Sequence, residues 1–113
     1  MSWPEQLKAH CAAKENAWED HPWDHCVYKI GKKLFAIVGE NEPTHITLKA
    51  APDDLDALLT VPFIERAAYV GRYGWITATV SDEESLEMVL DLIDTSYTTV
   101  RRKQRRRSGA GAA

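Results

Sequence analysis

His25-Cys26-Val27-Tyr28-Lys29-Ile30-Gly31-Lys32-Lys33-Leu34-Phe35-Ala36-Ile37-Val38 is the stretch that decides the fold. Residues 25–30 and 33–38 are rich in β-branched and aromatic side chains, and only Gly31-Lys32 separates them. A two-residue loop opening on glycine matches the twist of flanking strands, so the pair reads as a tight hairpin. Downstream, residues 39–43 run from Gly39 to Pro43 and form a second turn. Residues 44–49 then alternate, with His45, Thr47 and Lys49 on one side and Ile46 and Leu48 on the other. That is a half-buried antiparallel strand, the third of a meander.

Helical signals bracket the meander. Ser2 and Glu5 form a capping box with Pro4 in the first turn, and Trp3, Leu7 and Cys11 trace the buried stripe that follows. Residues 19–22 read as a polar turn. Pro52-Asp53-Asp54 opens a short helix carrying Leu55, Leu58 and Leu59, its acids placed against the N-terminal dipole. Residues 60–72 are irregular, with at most a helical turn near 63–68. Residues 74–80 alternate again, placing Ile76, Ala78 and Val80 inward and Trp75, Thr77 and Thr79 outward. Ser81 and Glu84 read as a second capping box, before a long helix whose apolar face is Leu86, Val89, Leu90, Ile93, Tyr97 and Val100. No strand–helix–strand unit repeats, which argues against a parallel sheet. The expected class is α+β: helix, three-strand meander, short helix, strand, long helix, with the helices on one face of an antiparallel sheet.

The chain has 113 residues, 44% of them hydrophobic and four of them Trp, enough for one core over residues 1–100. No apolar run approaches the length that spans a bilayer, and the N-terminus does not read as a signal peptide. Two cysteines make no disulfide framework, so the expected setting is cytoplasmic. Charge is divided sharply. Residues 101–107 hold six of the 14 Lys and Arg, whereas the first 100 carry the other 8 against all 17 Asp and Glu, a balance of −9. Residues 101–113 therefore form a basic C-terminal tail on an acidic body, a pattern that points to a polyanionic partner, DNA first, bound without sequence preference.

Five motifs in register give the sequence a family likeness: His21-Pro22-Trp23, residues 31–36, Thr47-Leu48-Lys49, Gly74-Trp75-Ile76 and Ser96-Tyr97. Together the chain resembles the YjbR (MmcQ-type) family of small bacterial proteins over residues 1–100. The resemblance implies a frataxin- or CyaY-like α+β fold, a "double wing" arrangement and a DNA-binding role. It also implies the hallmark positions Trp23, Lys33, Phe35, Lys49, Trp75, Ser96 and Tyr97, with no catalytic assignment among them. The basic tail lies outside the family pattern.

Lys33, Lys49 and Trp75 could meet on one surface, where cations and an aromatic plate would contact phosphates and bases. The competing reading is of solvated strand-end charges and a covered aromatic. Arg101, Arg102, Lys103, Arg105, Arg106 and Arg107 either contact nucleic acid or complement the C-terminal dipole and the acidic body. His10-Cys11 and His25-Cys26, with His21 upstream, offer metal-binding side chains, but their spacing fits no finger or ribbon. No metal or cofactor is expected, and the thiols read as packed. Ser96, Tyr97 and Lys33 lack the strained elbow or glycine loop of an enzyme, so no catalytic function is expected. The alternative to DNA binding is a protein- or ligand-interaction module using the open sheet face.

Overall fold

The computed structural model describes residues 2–22, 25–39, 41–68 and 74–112, with side chains as far as Arg102. Helix α1 (Trp3–Ala12) leads into strands β1 (Ala17–Asp20), β2 (Cys26–Ile30), β3 (Lys33–Val38) and β4 (His45–Lys49). A 3₁₀ turn (Pro52–Asp54) and α2 (Leu55–Leu58) connect to β5 (Ile64–Arg66), β6 (Trp75–Thr79) and the long helix α3 (Glu83–Ala112). All pairings are antiparallel, in a six-stranded sheet ordered β1-β2-β3-β4-β6-β5. The α+β class and the meander stand as expected from the sequence.

Two edge strands escaped the sequence reading. β1 covers part of the expected polar turn: Ala17-Trp18-Glu19-Asp20 pairs along β2. β5 replaces the expected helical turn near residues 63–68 and extends the sheet beyond β6. Both are short and charged, as edges that resist pairing with other chains tend to be, so neither shows clean alternation.

Register sorts the side chains. Cys26, Tyr28, Ile30, Ala36, Val38, Ile46, Leu48, Ile64, Ile76 and Ala78 face α1 and α3 and are buried. Into that layer α1 sends Leu7 and Cys11, and α3 sends Leu86, Val89, Ile93, Ser96, Tyr97 and Val100. Burial, with Cys26 nearby, pushes the Cys11 thiol up to about 12, so it packs as a protonated hydrophobe. A register shift between Tyr28 and Lys29 bulges β3 and turns both Phe35 and Ala36 into the core.

The capping box of α1 is present: Ser2 Oγ accepts from the Glu5 amide at 3.3 Å. That of α3 is displaced by one residue. Asp82, not Ser81, accepts from the helix, taking the Ser85 amide at 2.8 Å, while Ser85 Oγ accepts from the Ser81 and Asp82 amides. Ser85 thus does for Asp82 what Glu84 was expected to do for Ser81.

Candidate nucleic-acid interface

Geometry first distinguishes which hallmark residues hold the fold. Continuing the β3–β4 register past Ala36↔Leu48 brings Phe35 opposite Lys49. A direct backbone bond is replaced there by a side chain from α3. The Lys49 amide donates to Ser96 Oγ at 2.9 Å, and Ser96 Oγ donates to the Phe35 carbonyl at 2.6 Å. Ser96 is fully buried and splices the ladder where the β3 bulge parts it. Its neighbour Tyr97 meets Phe35 edge-to-face at 5.5 Å and donates to the Glu15 carbonyl at 2.6 Å. Phe35, Ser96 and Tyr97 are therefore structural, locking α3 to the sheet and to the turn between α1 and β1.

Lys49 and Trp75 do meet. They are cross-strand partners on β4 and β6, on the face with Thr47 and Thr77 that α1 and α3 leave uncovered. Gly74 makes room for the lysine: a Cβ there would stand 3.2 Å from Lys49 Nζ, and its φ of +86° suits glycine. Lys33 does not join them. It lies opposite Ile30, a core residue, and so occupies a helix-side register position. A single Lys33/Lys49/Trp75 surface, as the alternation allowed, is thus corrected to a Lys49/Trp75 pair. The β3 bulge puts both Phe35 and Ala36 on the helix side, so Lys33 shares the face of Phe35, whereas strict alternation from Ala36 and Val38 would have placed it on the open face.

Along the strands, however, the cations converge on one end. The Gly31-Lys32 hairpin, Lys33, Lys49 and Gly74 all lie at the edge toward which α3 runs. There Arg101 sits 5.8 Å from the Tyr97 ring centre and 3.5 Å from the Glu15 carboxylate. Arg102 borders a polar notch of about 250 Å³ with Ala51, Thr95, Thr98 and Thr99. Hydroxyls beside a guanidinium are phosphate-contacting groups. Asp94 closes the notch and is already held by Lys14 and by His10 at 2.8 Å. Thr98 and Thr99 were missed in the sequence, although they precede Arg102 by one helical turn. Trp23 lies outside the described residues, and the side chains of Lys103, Arg105, Arg106 and Arg107 lie outside the described side chains.

The open face also carries an apolar groove of about 290 Å³ between β2 and β3, lined by Pro22, His25, Val27, Lys29, Leu34 and Ile37. Lys29 is engaged by Asp20 at 2.8 Å and lies 5.2 Å from the Trp18 ring centre. No described helix is long and apolar enough to cross a membrane.

Comparison with known proteins bears on the fold and the lineage. A crystal structure of a structural-genomics target protein from Pseudomonas syringae superposes with a TM-score of 0.67, covering 85% of this chain and 97% of that one at 22% identity. None of the curated proteins matches. The YjbR family model matches residues 12–99, which span β1 to α3 and include the Ser96 splice and the Lys49/Trp75 pair. The chain belongs to the YjbR family.

Proposed function

We propose that the protein is a small non-enzymatic DNA-binding protein of the cytoplasm whose contacts are electrostatic and independent of sequence. The observation that carries this reading is the course of α3. Among the described side chains its last buried one is Val100, and the helix continues through the basic run to Ala112. Positions 101, 102, 105 and 106 fall on one helical face, rooted beside the Arg102 notch and the end of the sheet that carries Lys49. Such a rod can follow a phosphate backbone without reading bases. Trp75, paired with Lys49, adds a stacking surface for an unpaired base. Cys11 and Cys26, neither of them in a disulfide, suit a reducing compartment.

A mobility-shift series with random-sequence duplexes tests the reading. Arg102→Glu and Lys49→Glu are expected to weaken all duplexes alike; loss confined to one sequence, or no loss at all, counts against it. The apolar groove favours a second reading, a module for a small apolar ligand or a partner's side chain. Ile37→Asp separates the two: it should abolish uptake of an apolar fluorescent probe and leave DNA binding intact.

A further inference from the structure

Same-face neighbours at the β1–β2 edge form a second centre. Glu19 stands opposite Tyr28, and two pairs further along, one past Asp20↔Val27, the same register brings His21 opposite Cys26. The result is that a Glu19 carboxylate oxygen, a His21 ring nitrogen and Cys26 Sγ lie within 4.8 Å of one another. We propose that Glu19, His21 and Cys26 form a binding site for a borderline divalent transition metal, Zn(II) being the natural occupant. Three atoms so placed share a point no more than about 2.8 Å from each, and a small contraction brings them to the roughly 2.0–2.3 Å of zinc bonds to O, N and S.

The donors suit the ion and one another. Thiolate, imidazole and carboxylate together match Zn(II) or Co(II) better than the hard ions Mg(II) or Ca(II). Cys26 is fully buried and fixes the site, whereas Glu19 and His21 are about half exposed and free to adjust around an ion. Their own contact, His21 Nε2 to Glu19 Oε2 at 2.6 Å, must open as both turn toward the metal. Tyr28, itself buried, donates to the other carboxylate oxygen, Oε1, at 2.5 Å. That leaves Oε2 for the ion and supplies the outer bond that orients metal-binding carboxylates. Ligand spacing along the chain hides this site, since Glu19-x-His21 and Cys26-x-Tyr28 become neighbours only through strand pairing.

Titration of the reduced, chelator-treated full chain with Co(II) is the test. One Co(II) per chain should bind, giving a thiolate-to-cobalt charge-transfer band that Zn(II) bleaches stoichiometrically. Glu19→Gln and His21→Gln, both at accessible positions, should weaken binding at least as much as Tyr28→Phe, for which about 10–100-fold is expected. Cys26→Ser should remove the band, and His10→Gln should leave it unchanged. A folded protein that shows no charge-transfer band overturns the proposal. So does a band undiminished by Glu19→Gln and His21→Gln, which would place the ion elsewhere.

Discussion

Ser96 shows what a hydroxyl can do that neither strand can do for itself. It accepts from one strand and donates to the next at a point where the β3 bulge has moved the carbonyl out of reach. Removing it leaves a buried amide and a buried carbonyl without that partner. Ser96→Ala is therefore expected to cost about 1–3 kcal/mol, read as a lower denaturant midpoint, with DNA affinity unchanged. Lost affinity at equal stability would instead put Ser96 in the interface. Tyr97→Phe keeps the ring against Phe35 and loses only the bond to the Glu15 carbonyl, so about 1 kcal/mol is expected. Ser96 and Tyr97 were recognisable in the sequence as motif residues, and Tyr97 as a core residue, because its helical spacing shows. The partners of Ser96 could not be read, since they depend on a bulge that brings Phe35 opposite Lys49.

Elements differ in how openly the chain announces them. The hairpin of β2 and β3, the alternation in β4 and β6, and the apolar stripe of α3 repeat at the periods of strand and helix, so each is plain before any coordinates. β1 and β5 are edges with charge where a central strand has valine, and their pairing is decided by neighbours. The start of α3 is a finer case, because two capping solutions one residue apart both fit the sequence. In the fold the Asp82 carboxyl is held below the usual carboxylate range by the Ser85 amide and hydroxyl. Asp82→Ala is thus expected to lower thermal stability where Ser81→Ala does not; equal effects would contradict the displaced cap. Contact between α1 and α3 is pH-sensitive for a similar reason. Burial acts to raise the Asp94 pKa, but hydrogen bonds from Lys14 and His10 outweigh it and hold the carboxyl below its ordinary range. A depressed folded-state value stabilises above the ordinary carboxylate range and is lost as pH falls through the folded value. Asp94→Asn should accordingly flatten the acid limb of the stability profile, and a limb as steep as the parent's would exclude this contact as its source.

At the scale of the whole molecule the governing feature is asymmetry of charge and of shape. A 30-residue α3 is about 45 Å long at 1.5 Å per residue, which accounts for the longest dimension of 46 Å. Roughly its first 18 residues cover the sheet and the rest carries the basic run away from it. That division was legible as a composition change at residue 101, whereas the end of the sheet from which the run departs was not. The direction of α3 across the strands sets it, bringing the run beside Lys49 and the Arg102 notch. The most direct measurement is the salt dependence of duplex DNA binding by fluorescence anisotropy, comparing the full chain with one ending at Val100. Four to six phosphate contacts should give log Kobs against log salt a slope of about −4 to −5 for the full chain, and the shortened one should bind weakly with a much shallower slope. Equal slopes and equal affinities for the two chains would contradict a nucleic-acid interface built on α3.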